Sequence, residues 1–76
     1  YPPAARQRHQ QGTVLLRVLV DEAGRVGEAE VAESSGYPLL DRAALRGVRQ
    51  WRFEPGRRGA TPIASRVLVP IRFELQ

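Results

Sequence analysis

Residues Ala64–Leu75 read ASRVLVPIRFEL. Val67, Val69, Ile71, Phe73 and Leu75 fall at every second position, with Arg66, Leu68, Pro70, Arg72 and Glu74 between them. Successive side chains of a strand point to opposite faces, so a period of two predicts a β-strand with one buried face. Pro70 stands in the middle of it. Proline has no N–H to give to a ladder and is confined to edge strands, first residues and bulges. The stretch therefore reads as an edge strand carrying a row of unpaired backbone groups. Such a row is either blunted against aggregation or used as a docking line for a foreign strand. The function of the chain turns on that choice.

Thr13–Val20 (TVLLRVLV) gives the second strong signal. Val14, Leu16, Val18 and Val20 make one fully apolar face, while Thr13, Leu15, Arg17 and Leu19 make the other half apolar. A strand apolar on both sides is predicted at the centre of its sheet. Asp21–Arg25 (DEAGR) is a turn with Gly24 placed for positive φ. Val26–Ser34 is the returning strand. Its Val26 differs in parity from Ala29 and Val31, which predicts a bulge between them. With the second strand on one flank of the first, the Ala64–Leu75 strand takes the other flank and keeps its outer edge free.

Ser34–Pro38 (SSGYP) breaks the chain, and Pro38 opens a helix with Asp41 near its positive end. Leu40, Ala44, Val48 and Trp51 recur at helical spacing with Gly47 on the same stripe; Arg42, Arg46 and Arg49 take the opposite face. Gly47 costs about 1 kcal/mol relative to Ala inside a helix. Its expected reason is that a side chain there would meet the sheet. Trp51 and Phe53 are expected in the core, covering the joint between helix and sheet. At the other end, Pro3 suits the first position of a short helix that Gly12 ends, with Tyr1 and Pro2 docked on it. Gly56–Pro62 (GRRGATP) reads as a loop. The element order is helix, strand, strand, helix, strand.

At 76 residues the chain is one domain with a thin core, 42% of it hydrophobic. A chain of this size buries only about 60% of the surface it exposes when unfolded. The absence of cysteine excludes disulfides and thiolate metal sites without fixing a compartment. The net charge is +4, and all twelve basic residues are Arg, for which a GC-rich coding bias is explanation enough. Basic character favours acidic partners. No signal peptide and no transmembrane run is visible. The chain opens YPPAARQ without an initiator Met, so it reads as part of a longer protein.

Catalytic constellations are nearly absent. His9 is the one histidine, in a polar segment, and it is the only ordinary base for Ser34, Ser35 or Ser65. Ser34 and Ser35 read instead as satisfying backbone groups at the strand-to-helix turn. Glu28 and Glu30 share a parity and read as the solvated face of the second strand. No phosphate-binding glycine loop and no metal-ligand cluster is present, so neither cofactor nor metal is expected. Nucleic-acid binding is the generic rival, because of the Arg content. The Arg residues are, however, spread along the whole chain, and with Trp51 and Phe73 assigned to the core no stacking platform is left on a sheet face. A solvated Arg face is the plainer reading. The helix stripe carries Ala44 and Gly47, too small to insert into a membrane surface.

An ordered set of motifs then resembles the C-terminal domain of TonB-family energy transducers. Tyr1-Pro2 opens it, Gly12-x-Val14 leads into the first strand, Gly24-x-Val26 marks the hairpin, and Ser34-Ser35-Gly36 marks the break. Leu40-Asp41-x-Ala43-Ala44-Leu45 runs through Val48 to Trp51-Arg52-Phe53-x-Pro55, and Val67-x-Val69-Pro70-Ile71-x-Phe73-x-Leu75 closes the chain. The set spans essentially the whole sequence. Gly47 departs from it, where the family more often has Ala, which touches packing rather than function.

The resemblance implies an α+β fold: a small three-stranded antiparallel sheet with two helices packed on one face. It implies a non-enzymatic periplasmic domain of a protein anchored in the inner membrane of a Gram-negative bacterium. The parent's membrane helix and Pro-rich spacer would precede residue 1, and the membrane helix would work with an ExbB–ExbD-type motor. The implied partners are the TonB box and plug of outer-membrane transporters for iron chelates, cobalamin or similar cargo, with no nucleic acid. The last strand pairs with the box in this family, so Ser65, Arg66, Val67, Leu68, Val69, Pro70, Ile71 and Arg72 are the expected partner-binding residues. Arg66 and Arg72 are placed to meet acidic groups on the guest or the plug. The open edge also leaves room for a homodimer by edge pairing or strand exchange. The alternatives are a TonB-like domain serving another envelope or sensor machine, and a basic nucleic-acid-binding module.

Overall fold

A computed structural model describes residues 1–75. The main sheet has three antiparallel strands: β1 (Gly12–Val20), β2 (Val26–Glu33) and, last in the chain, β5 (Ser65–Phe73). They lie in the order β2-β1-β5, so the strand with two apolar faces is central and β5 is an edge. A short helix α1 (Pro3–Gln7) precedes the sheet, and α2 (Pro38–Val48) follows β2. Two three-residue strands, β3 (Gly56–Arg58) and β4 (Thr61–Ile63), form a hairpin of their own.

The core follows from the periods. Val14, Leu16, Val18 and Val20 on one face of β1 are fully buried and cluster with Leu40, Ala44 and Val48 of α2 and Ala5 of α1. The β1–β2 pairing carries two bulges. One leaves Gly27 extra between the Leu19–Glu28 and Val20–Val26 pairs, where the parity change predicts it. The other leaves Ala32 extra, with no sequence signal.

The β1–β2 turn is built by Asp21, whose Oδ1 accepts from the N–H of Ala23 at 2.9 Å and of Arg25 at 2.8 Å. Gly24 has φ +81, and its carbonyl accepts from the Phe53 N–H at 2.8 Å. A Cβ at Gly24 would run into the Phe53 carbonyl oxygen, so only glycine lets the turn and the Phe53 segment meet. The break before α2 is organised by Asp41. It accepts from the Ser34 hydroxyl, from the Ser35 N–H at 3.0 Å and from the Ser35 hydroxyl at 2.8 Å. Partial burial pushes the Asp41 carboxyl upward, but those three hydrogen bonds outweigh it and hold the group below its ordinary value.

Four local expectations are corrected. Helix α2 stops at Val48, with i→i+3 bonds from Gln50 N–H to Gly47 O and from Trp51 N–H to Val48 O. The stripe therefore ends before Trp51, which is 46% exposed and stands 6.0 Å from the Phe53 ring; Phe53 alone packs on the core. Gly47 is exposed and a Cβ there would meet nothing within 4 Å, so no collision explains it. The chain reverses after α1 at His9, whose φ is 56, and not at Gly12. Gly12 instead opens β1, where a Cβ would press on Ser35 at 3.1 Å. Finally, Gly56–Pro62 is not an irregular loop but the β3–β4 hairpin. Its turn has Gly59 at φ +61 and Ala60 at negative φ, as in a type II′ turn.

Candidate docking edge

All eight expected partner-binding residues lie on β5, and the ladder explains how they divide. Nine consecutive pairs run from Gly12–Phe73 to Val20–Ser65 without a shift, passing through Leu15–Pro70. In an antiparallel pair, residues alternate between exchanging both backbone bonds with the neighbour and turning both groups away. Pro70 can occupy only the second kind without leaving a β1 carbonyl unpaired. The same phase turns the backbone groups of Arg66, Leu68 and Arg72 to the free edge, and those of Ser65, Val67, Val69 and Ile71 toward β1. The free row thus offers three N–H donors and four carbonyls.

The side chains divide by the same parity. Val67, Val69, Ile71 and Phe73 face the core, yet each is only partly buried. The reason is positional: α2 lies against β1 and β2, so the core side of β5 is less covered. Tyr1 shields its far end. The Tyr1 ring meets Phe73 edge-on at 5.4 Å, its hydroxyl donates to the Gln10 carbonyl, and the Arg6 guanidinium sits 5.6 Å from its centroid.

The other face of the sheet carries cross-strand rows that the register dictates: Glu28–Leu19–Arg66, Glu30–Arg17–Leu68, Glu33–Leu15–Pro70 and Thr13–Arg72. Arg17 donates to Glu30 at 2.7 Å, and Arg72 pairs with Glu74. Arg66 makes no ion pair among the described residues. Leu68 is 59% exposed. A concavity of about 700 Å³ runs over this face, between Arg17, Glu28 and Arg66. Leu15, Arg17 and Leu19 therefore belong to the surface that borders β5, a neighbourhood the strand's own sequence does not announce. Their parity on β1, opposite to the core set, is the signal that could have found them.

The sheet's two edges differ. β2 is broken by bulges and presents Glu28, Glu30 and Glu33, which are devices that discourage pairing. β5 is nine residues long, unbulged, and interrupted only by Pro70. Among the described residues, the open-face positions of the three strands carry Leu, Arg, Glu, Thr and Pro side chains and no aromatic ring.

Fold and edge together define a small α+β domain whose sheet closes on one side with an acidic, bulged strand and ends on the other in a regular open one. Residues 1–75 match the Gram-negative bacterial TonB protein C-terminal family, and the chain belongs to it. It is 38% identical over 76 residues to the protein TonB of Vibrio cholerae serotype O1, covering all of this chain and 31% of that protein. It is 45% identical over 75 residues to the protein tonB2 of Pseudomonas aeruginosa, covering 99% of this chain and 28% of that one. With the protein TonB of Xanthomonas campestris pv. campestris the identity is 43% over 75 residues, covering 99% and 34%. The chain thus spans about a third of the length of the relatives it matches.

Proposed function

We propose that this domain is the gripping end of a TonB-like energy transducer, taking the TonB box of outer-membrane transporters as a fourth strand along β5. The parent protein would be anchored in the inner membrane and driven by an ExbB–ExbD-type motor, with this domain in the periplasm and no chemistry of its own. The observation that carries the reading is the contrast between the two sheet edges: one is blunted, the other regular and unpaired among the described residues. Main-chain bonds to Arg66, Leu68, Pro70 and Arg72 would hold the guest with little sequence demand. Each contributes about 0.5–1.5 kcal/mol net, so a short peptide alone binds weakly. Bonds along a strand share a lengthwise pull, which suits a tether that transmits force.

The test is titration of the domain with a synthetic TonB-box peptide, followed by hydrogen exchange of the complex. Saturable binding with only modest salt dependence, and new protection at Arg66, Leu68 and Arg72, is the expected result. A folded domain that does not bind, or protection confined to another surface, overturns the proposal.

A further inference from the structure

The β3–β4 hairpin leaves the end of the candidate docking strand and pairs with no other strand among the described residues. Only Ala64 separates β4 from β5. Its base is pressed onto β5: a Cβ at Gly56 would lie 3.0 Å from both Cβ and Oγ of Ser65, so the glycine is what allows that contact. Between Gly56 and Ile63 the hairpin carries Arg57 and Arg58 and no carboxylate. Both residues are exposed, and neither makes an ion pair among the described residues. Arg57 Nη1 reaches back only to the Ala60 carbonyl, at 3.5 Å. Adjacent residues of a strand point to opposite faces, so the ribbon carries one positive charge on each side. Pro62 has no N–H, which makes β4 a poor template for a further strand. What the hairpin offers a partner is therefore charge, placed at a fixed position beside the first residue of β5.

We propose that the β3–β4 hairpin is a second contact for the same partner, binding through Arg57 and Arg58 an acidic stretch that continues the docked strand past the Ser65 end of β5. This rests on the strand-addition reading and adds to it a chemical requirement on the partner. A strand advances about 3.3 Å per residue, so a three-residue arm meets a stretch of about three or four residues. The contact is solvent-exposed, so it contributes modestly and weakens with salt. It also sets a direction: only one end of the guest lies next to the hairpin.

The experiment uses three probes: the TonB-box peptide, the same peptide with four Glu added before it, and the same peptide with four Glu added after it. Each is titrated into the wild-type domain, into R57Q/R58Q, and into R42Q/R46Q, which removes the same charge from the exposed face of α2. One of the two extended peptides is expected to bind the wild type about fivefold tighter than the bare peptide at low salt. That gain disappears in R57Q/R58Q, persists in R42Q/R46Q, and fades at high salt, while the bare peptide binds all three proteins within about twofold. Binding of the bare peptide with no gain from either extension overturns the hairpin's role and leaves strand addition standing. An equal gain in R57Q/R58Q, or equal losses in both variants, assigns the effect to diffuse charge and overturns it too. If no peptide binds the folded wild-type domain, the strand-addition reading falls and this inference falls with it.

Discussion

The phase of β5 is testable by adding a second proline beside Pro70. The register turns the Leu68 N–H to the free edge and the Val69 N–H toward Leu16 of β1. Leu68→Pro removes a donor that this register leaves unused among the described residues, from a residue that is already 59% exposed. The residue before it, Val67, is already extended, as a proline requires. Its folding cost should therefore stay within about 1 kcal/mol. Val69→Pro, one position on, strips the partner from the carbonyl of fully buried Leu16 and drives a ring against the central strand. The orphaned carbonyl alone costs about 1–3 kcal/mol. That is a large share of the total for a chain this short, about 4–11 kcal/mol at typical stability per residue. Urea unfolding followed by circular dichroism should then show Leu68→Pro close to wild type and Val69→Pro far below it. Binding should reverse the emphasis. Leu68→Pro leaves only Arg66 and Arg72 as donors on the outward row, and the loss of one bond weakens peptide affinity about 2- to 13-fold. Equal destabilisation by the two variants would refute the phase. A stable Leu68→Pro domain that binds the peptide as wild type would refute the use of this edge.

Two further outcomes follow from the local structure. Gly47→Ala should stabilise the domain by up to about 1 kcal/mol, read as a rise in thermal midpoint, because the site is helical, exposed and empty around the missing Cβ. A loss of stability would mean that the stripe does touch the sheet. Asp41→Ala should cost about 1–2 kcal/mol at neutral pH through the lost bonds to Ser34 and Ser35. The Asp41 carboxyl is held below its ordinary value in the folded state, so its contribution is present above the unfolded pKa of about 3.9 and is lost as pH falls through the lower folded value. The gap between wild type and variant should close over that acidic range, and a gap that stays constant would assign Asp41 another role.

The sequence by itself determined the two long strands, their order in the sheet, the start of α2 and the need for a bulge between Val26 and Ala29. Each of these depends on the alternation of apolar residues or on a single proline or glycine, which are properties that neighbours in the chain impose on one another. The central place of β1 was legible because Leu15 and Leu19 make its second face apolar, and the edge place of β5 because Pro70 cannot serve a ladder on both sides. The tertiary structure decided the rest. Trp51 lies where a continued helix would have buried it, but α2 ends at Val48 and the stripe does not extend that far. Gly47 sits at the border of its stripe, and a helical period does not say how far the opposing sheet reaches. Gly56–Ile63 is too short for a period of two to be distinguished from a loop, so its pairing and its seat on Ser65 became visible only once β5 was in place. Periodicity reports which way a residue faces along its own element. What stands opposite that face depends on contacts between residues far apart in the chain, and those exist only after the chain has packed.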